Sequence, residues 1–166
     1  MSKCMSFKPS VNHQSKVLVL GSMPGIKSLE EQQYYAHPPN RFWQVMAAIT
    51  DNSSLPTLNY DEKLRILLDN NIALWDVIKS CNRDSSLDSK ILNPKPNNIR
   101  ELLNKYPQIS MICLNGNKAY SIFKKYFPDL LEQNNCYKLP STSPANARFS
   151  LEKLIEEWHI LKSVKY

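Results

Sequence analysis

One short segment constrains the fold of this chain more than any other: residues 17–25, which read VLVLGSMPG. The segment 16–20, in which Lys16 is followed by four Val and Leu residues, predicts a strand that is buried on both faces. Gly21 ends the strand, and the Pro-Gly pair at 24–25 predicts a tight loop after it. A loop at the carboxyl end of a buried strand is where α/β proteins bind ligands, because it exposes backbone N–H groups.

The rest of the chain alternates between predicted strands and predicted helices. Further short apolar runs predict strands at 72–78, 109–114 and 137–139. Apolar residues spaced three or four apart predict helices at 40–50, 61–69, 97–106, 117–127 and 150–161. The remaining segments at 1–15, 21–40 and 79–96 are predicted to be mainly irregular. This alternation predicts a three-layer α/β/α fold with a central four-stranded, mostly parallel sheet, in one domain over residues 1–166.

The composition fits a globular cytoplasmic protein with an affinity for polyanions. The 166 residues can form one compact core, and 42% of them are hydrophobic, with a mean hydropathy of −0.43. No apolar run approaches the ~20 residues of a membrane span, and the N-terminus lacks the apolar core of a signal peptide. The net charge of +6 favours nucleic acid as a partner, although many basic proteins bind none.

The cysteines and histidines indicate no metal centre, cofactor or disulfide framework. The four cysteines are Cys4, Cys81, Cys113 and Cys136, and no two of them are closely spaced. The three histidines are equally scattered. Because Cys113 lies in an apolar run, it is expected to be a small buried hydrophobe.

Three motifs carry a resemblance to a known family. Residues 17–25 are followed by AHPPNRFW at 36–43 and by LPSTSPAN at 139–146. In this order the motifs resemble the uracil-DNA glycosylase superfamily, and the last one narrows the resemblance to its hypoxanthine-DNA (deoxyinosine) glycosylase branch. Further motifs at 72–78 and 111–116 extend the resemblance over nearly the whole chain.

The resemblance implies a monofunctional enzyme of base excision repair. It would hydrolyse the N-glycosidic bond of a deaminated base in DNA, above all hypoxanthine, as a monomer and without a cofactor. It would act in the cytoplasm, associated with the nucleoid during repair, and not at a membrane. Two alternatives remain open: a uracil or G/U mismatch-specific DNA glycosylase, and a non-catalytic nucleic-acid-binding protein with this fold.

The resemblance makes Asn40 the predicted catalytic residue. An amide cannot act as a strong general base, but its carbonyl oxygen can hold a water molecule in position. Many members of the superfamily carry Asp or Asn at the position of Met23, whose thioether cannot activate water. The resemblance to the hypoxanthine branch implies that Asn40 takes over this role. The alternative is that Asn40 only caps the helix that begins at Arg41.

The candidate base-binding residues are Gly21, Ser22, Met23, Tyr35, Asp76 and Asn115. Tyr35, and Tyr34 beside it, could stack on the extruded base or simply close the core. Asp76 could accept a hydrogen bond from N1–H of hypoxanthine and repel the bare N1 of adenine. Its alternative role is to cap a turn or to pair with Lys79 or Arg83.

The segment at 140–148 resembles the loop of the superfamily that enters the minor groove of DNA. Its candidate DNA-binding residues are Ser141, Thr142, Ser143, Pro144, Ala145, Asn146 and Arg148. Hydroxyl groups can bind phosphates, prolines stiffen a loop, and the last residues could fill the gap left by the extruded base. Several branches carry His where this chain has Ser141, and its absence argues against robust uracil excision.

A second basic group is predicted to form a phosphate-facing rim, unless it is simply a solvated surface. Its members are Lys79, Arg83, Lys90 and Lys95. Pro39 stands where a basic residue is expected in the family, so one phosphate contact is predicted to be missing. No lysine stands within a motif, so a Schiff-base lyase step is not predicted.

Overall fold

A computed structural model of the chain describes residues 2–164. The strands in this range are β1 (Lys3–Met5), β2 (Val17–Gly21), β3 (Ile72–Asp76), β4 (Ile78–Asn82), β5 (Leu92–Pro96), β6 (Met111–Asn115) and β7 (Asn135–Leu139). The α-helices are α1 (Ile26–Glu31), α2 (Phe42–Ile49), α3 (Tyr60–Asp69), α4 (Ile99–Lys105), α5 (Asn117–Tyr126), α6 (Pro128–Gln133) and α7 (Leu151–Trp158). Within the described range, no helix combines the length and the apolar character needed to cross a membrane.

The central sheet has the strand order β3-β2-β6-β7, and all of its neighbouring strands are parallel. The prediction of a four-stranded, mostly parallel sheet is therefore confirmed. The register brings the last residues of neighbouring strands level with each other, because Gly21 pairs with Asp76 and Asn115 pairs with Leu139. The carboxyl ends of the strands thus form one continuous edge.

Side chains alternate along β2 and pack into two separate cores, one on each face of the sheet. Val19 points into the core formed with α2, α3 and α7, which includes the fully buried Phe42 and Trp158. Leu20 points into the core formed with α4, α5 and α6. Helices on both faces confirm the three-layer α/β/α fold. Cys113 is fully buried in the first core, as predicted.

The prediction that residues 79–96 are mainly irregular is wrong. This segment forms β5 and most of β4, which pair antiparallel, and β1 from the N-terminal lead-in pairs with the other edge of β4. The sequence gives little sign of this second sheet, because its strands lack a regular alternation of apolar residues and β5 contains two prolines. Prolines are tolerated there because β5 is an edge strand.

Two short helices are also absent from the sequence prediction. α1 lies within the predicted loop at 21–40, and α6 starts at Pro128, just after the predicted end of the preceding helix. Proline suits the first position of a helix because its missing N–H would have no partner there. The helix predicted to start after Asn40 begins at Phe42, with Arg41 rather than Asn40 at the N-cap position.

Candidate active site

A cleft of about 940 Å³ opens at the carboxyl edge of the central sheet, and its size is in the range of small-molecule sites. The last residues of the four strands line it: Gly21, Asp76, Asn115 and Leu139. The predicted site residues line it as well: Asn40, Gly21, Ser22, Met23, Tyr35, Asp76, Asn115, Ser141, Thr142, Ser143, Pro144, Ala145, Asn146 and Arg148. The fold therefore brings together motifs that lie far apart in the sequence.

Asn40 lines the cleft from the turn that precedes α2. Its side chain is half-buried, and Asn40 Oδ1 accepts a hydrogen bond from the backbone N–H of Phe42 at 3.0 Å. A carbonyl oxygen has two lone pairs, so the same atom can also accept a hydrogen bond from a water molecule. Supporting the start of the helix and holding a water molecule are therefore compatible roles for this amide.

Tyr35 forms an aromatic wall of the cleft. Its ring stacks on Phe42, with the ring centroids 3.8 Å apart and an interplanar angle of 14°. The Tyr35 hydroxyl accepts a hydrogen bond from Asn115 Nδ2 at 3.2 Å, and burial raises its pKa, so it stays protonated. Phe42 therefore covers one face of the Tyr35 ring. Tyr34 also lines the cleft, but it is buried in the core and its hydroxyl donates to the carbonyl of Lys8.

Asn115 connects the end of β6 to the 140–148 loop. Asn115 Nδ2 donates to Thr142 Oγ1 at 3.1 Å, and Asn115 Oδ1 accepts from the backbone N–H of Thr142, also at 3.1 Å. Thr142 is completely buried, and its carbonyl accepts from the backbone N–H of Arg41 at 3.0 Å. The polar groups of Asn115 and Thr142 are thus directed at each other, and they hold the loop on the sheet.

Asp76 is a buried carboxyl group of the cleft. It is 4% exposed, Asp76 Oδ2 has no hydrogen-bond partner, and the side chain forms no ion pair within residues 2–164. The alternative that it pairs with Lys79 or Arg83 therefore finds no support. Burial raises the pKa of this carboxyl to about 7, and the nearby Asp88 adds to the rise while Arg83 opposes it. A buried acceptor without a partner is a group that a donor on a ligand can satisfy.

Gly21 allows Asp76 and Tyr35 to approach the end of β2. A Cβ atom at this position would lie 2.6 Å from Asp76 Oδ1 and 3.2 Å from the Tyr35 hydroxyl oxygen. The first distance is too short for any side chain, so a larger residue would displace the carboxyl group. Gly21 is therefore required by the close packing of the site.

Asp88 is a cleft residue that the sequence analysis missed. It starts a short 3-10 turn between β4 and β5, and Asp88 Oδ1 accepts a 2.6 Å hydrogen bond from Ser22 Oγ. The same segment has a second tie to the glycine loop, because Ser86 Oγ accepts from the backbone N–H of Ile26 at 2.8 Å. Nothing in the local sequence distinguishes Asp88, because it reaches the cleft only through the antiparallel sheet.

The 140–148 loop presents an exposed tip to solvent. Pro144, Ala145 and Arg148 are exposed. Behind them, Ser141 Oγ accepts from the backbone N–H of Ser143 at 3.1 Å, and Ser143 Oγ accepts from that of Ala145 at 3.2 Å. Serine hydroxyls stabilise tight turns in this way. The tip is therefore accessible, while its backbone is held by the loop's own side chains.

The prediction of a phosphate-facing basic rim is wrong for Arg83, and its three lysines lie away from the cleft. Arg83 is 2% exposed, and its Nη2 donates to the Pro24 carbonyl, so it supports the glycine loop from inside. Lys79, Lys90 and Lys95 are exposed but lie outside the cleft lining. Of the lysines and arginines that the structure describes, those lining the cleft are Lys27, Lys118, Lys138 and Arg148.

The thiol and imidazole groups show no clustering around the cleft. In the described part of the chain, no group of three or more His, Cys, Asp or Glu side chains is placed to hold a metal ion. The four cysteines are free thiols. Burial raises the pKa of Cys113 to about 12 and that of Cys136 to about 11, so both are protonated at neutral pH.

The fold and the cleft define a class: an α/β protein with a ligand site at the carboxyl edge of a parallel sheet, an aromatic wall and a buried carboxyl group. Comparison with known proteins gives the family. The family model of the uracil DNA glycosylase superfamily matches residues 9–165, and the chain belongs to this superfamily.

The relatives are similar over nearly their full length. Proteins named hypoxanthine DNA glycosylase from Methanosarcina acetivorans and Methanosarcina barkeri share 39% identity over 154 residues and 32% over 156. These alignments cover 92% and 94% of this chain, and 93% and 96% of the relatives. The solution NMR structure of a candidate uracil DNA glycosylase from Methanosarcina acetivorans has a TM-score of 0.85 and 33% identity, covering 99% of this chain and 100% of that one. The resemblance found in the motifs is confirmed.

Proposed function

We propose that this protein is a monofunctional DNA glycosylase that releases hypoxanthine from deoxyinosine in DNA. It acts as a monomer in the cytoplasm, associated with the nucleoid during repair. One observation carries the proposal: a single cleft holds the Asn40 amide, the Tyr35 ring and the unsatisfied Asp76 carboxyl. The similarity to two proteins named hypoxanthine DNA glycosylase supports the same activity here.

Hydrolysis of the N-glycosidic bond needs a water molecule beside C1′ and a stabilised positive charge on the sugar. Asn40 Oδ1 orients that water, and the neutral amide contributes position rather than basicity. The electron pair of the breaking C1′–N9 bond leaves with the base, while the DNA phosphates stabilise the cation-like sugar. Water adds its hydroxyl group to C1′, and its remaining proton neutralises the departing base, directly or through solvent. The products are free hypoxanthine and an abasic site.

Recognition requires the base to leave the duplex and enter the cleft. The Tyr35 ring, which Phe42 holds from behind, provides a stacking face for the extruded purine. Ionised Asp76 accepts a hydrogen bond from N1–H of hypoxanthine. Adenine has a lone pair at N1, and the carboxylate repels it. Asn115 acts indirectly, since its amide is engaged by Tyr35 and Thr142.

The exposed tip of the 140–148 loop and the cations around the cleft contact the DNA in this proposal. In this proposal the exposed Pro144 and Ala145 meet the groove, and the exposed Arg148 meets the backbone or fills the gap left by the base. Lys118 and Lys138, which line the cleft, can neutralise further phosphates.

Cleavage of a deoxyinosine-containing duplex tests the proposal. Single-turnover reactions followed by alkali reveal abasic sites as strand breaks. Asn40→Ala is expected to lower the rate by roughly a hundredfold, because the water loses its orienting group. The matched control is Asn104→Ala, which removes an exposed amide from α4 and should leave the rate unchanged.

The outcome separates the candidate functions. Equal strand breakage by Asn40→Ala and the wild type would remove Asn40 from the mechanism. Tight binding of the deoxyinosine duplex by the wild type without breakage would favour the non-catalytic alternative.

A uracil glycosylase is the second candidate, favoured by the similarity to the solved structure of a candidate uracil DNA glycosylase. The residues of the cleft argue against uracil excision, because Met23 has no group that activates water and Ser141 has no imidazole for the leaving base. Parallel assays with uracil, xanthine and hypoxanthine duplexes decide the matter. Faster release of uracil than of hypoxanthine would make the second candidate the correct one.

A further inference from the structure

Arg41 forms hydrogen bonds with several backbone carbonyl groups of residues 142–149, the segment that follows the last strand of the central sheet. Its guanidinium donates to three of them: Ser143 and Asn146 from Nη2 at 3.0 Å each, and Phe149 from Nη1. The backbone N–H of Arg41 donates to a fourth carbonyl, that of Thr142, at 3.0 Å. The guanidinium is half-buried, and Arg41 Nε has no partner among the described residues. The positive charge of the Arg41 guanidinium is therefore directed at the backbone of this segment.

The contacts of Arg41 with the loop also bear on the position of Asn40, because the two residues are neighbours in the chain. Arg41 occupies the N-cap position of α2 and directly follows Asn40, whose amide faces the cleft. Arg41 is thus the chain neighbour of Asn40, and its guanidinium is hydrogen-bonded to the 140–148 loop. An arginine suits this task, because its planar fork of five donors can reach several carbonyls at once, whereas a lysine ammonium is a compact point charge.

We propose that Arg41 is a positioning residue that fixes the 140–148 loop relative to the Asn40 amide. This proposal rests on the glycosylase function proposed above. Without the guanidinium, two loop carbonyls and that of the adjoining Phe149 lose their donor, and the loop has to be ordered when DNA binds, which weakens binding. Asn40 keeps its own hydrogen bond to the backbone N–H of Phe42, so the chemical step suffers less.

Amide hydrogen exchange of the DNA-free protein tests the structural part. The backbone N–H groups of Asn146 and Phe149 bond to the carbonyls of Ser143 and Asn146, at 3.0 and 3.3 Å, and Arg41 holds these same two carbonyls. In Arg41→Gln, exchange at both amides is expected to accelerate by about tenfold or more, with a smaller increase in Arg41→Lys. Amides of β6 should exchange at the wild-type rate. Arg65→Gln, which removes an exposed charge from α3, is the matched control.

Steady-state kinetics with a deoxyinosine duplex test the functional part. Arg41→Lys is expected to raise KM by roughly tenfold while kcat stays within about threefold, the split expected from a loop that must be ordered on binding. Unchanged exchange at Asn146 and Phe149 would overturn the proposal. A loss confined to kcat, as expected for Asn40→Ala, would overturn it too. If Arg41→Gln exposes the β6 amides because it unfolds, Arg41→Lys provides the deciding comparison.

The two proposals fail in different ways. Hydrogen exchange needs no substrate, so it tests the role of Arg41 in the loop even if deoxyinosine is not cleaved. A wild-type enzyme that cleaves deoxyinosine while the Arg41 variants keep their loop protection would contradict the role of Arg41 alone.

Discussion

Asn40 and Asp76 are similar in size but differ in how their oxygens are satisfied. Asn40 Oδ1 accepts a hydrogen bond from the N–H of Phe42, so the turn orients the amide before a ligand binds. Asp76 Oδ2 has no donor in the described chain, and burial disfavours its charge. The amide is thus preorganised to hold water, whereas the carboxyl gains its partner from the N–H of a base.

Asp76→Asn is expected to change how stability depends on pH. The pKa of Asp76 is raised from 3.8 to about 7 in the folded protein. Between these values the folded state binds the proton more tightly than the unfolded state, so the wild type loses stability as the pH rises and stays less stable above pH 7. From pH 4 to pH 8, the variant should gain stability relative to the wild type by roughly 1.4 kcal/mol per unit of pKa shift. Urea unfolding at both pH values measures this difference.

Asp69→Asn serves as the control for this measurement, because Asp69 is an exposed carboxyl at the end of α3. Parallel pH profiles for Asp76→Asn and the wild type would show that the buried carboxyl has an ordinary pKa. The sequence predicts that Asp76 stands at the end of a buried strand. It does not predict the raised pKa, because that depends first on how deeply the folded protein buries the carboxyl group and second on the approach of Asp88, which the antiparallel sheet brings to the cleft.

At the level of elements, the site depends most on the 140–148 loop, which three elements hold in place. Arg41 attaches it to α2, and Asn115 attaches it to β6. Trp158 attaches it to α7, since Trp158 Nε1 donates to the carbonyl of Pro140 at 2.9 Å. A loop that carries ligand contacts can be precise when rigid elements fix it at several points.

Trp158→Phe is expected to weaken both the fold and DNA binding. The variant loses a partly buried hydrogen bond and part of a fully buried ring, at a cost of roughly 2–4 kcal/mol of unfolding free energy. Because the lost bond anchors Pro140, the affinity for duplex DNA should fall as well. Urea unfolding and fluorescence anisotropy titrations measure the two effects.

Trp75→Phe is the matched control for the anchoring effect. Trp75 Nε1 donates to the carbonyl of Phe7 at 2.9 Å, the same length as the Trp158 bond, but Trp75 does not line the cleft. This variant should lose stability and keep its affinity for DNA. An equal loss of affinity in both variants would show that general destabilisation, and not the loop anchor, controls binding.

At the level of the whole molecule, the chain is basic, and part of its positive charge lies around the cleft. The chain carries a net charge of +6, and Lys118, Lys138 and Arg148 belong to the cleft lining. We therefore expect polyanionic DNA to be attracted to the edge at which the strands end.

DNA affinity is expected to fall steeply with salt concentration. If those three cations each neutralise one phosphate, a plot of log K against log salt should have a slope of about −2.7. Replacing Lys118 and Lys138 together by Met should make the slope shallower by about 1.8. A control with Lys90→Met and Lys95→Met removes exposed cations outside the cleft and should leave the slope unchanged. A larger effect in the control would place the DNA on the antiparallel sheet instead.

The sequence by itself indicated the central parallel sheet and most of the helices that cover it, and most of the predicted site residues line one cleft. Runs of apolar residues are a local property, and they predict the strands at 16–20 and 72–78 because helices on both sides of a parallel sheet bury both faces of its strands. Only the tertiary structure decided that Asp88 faces Ser22, that Arg83 is interior, and that Arg41 holds the loop. These features depend on contacts between distant segments, and polar side chains leave no periodic signal of the partner that they will meet.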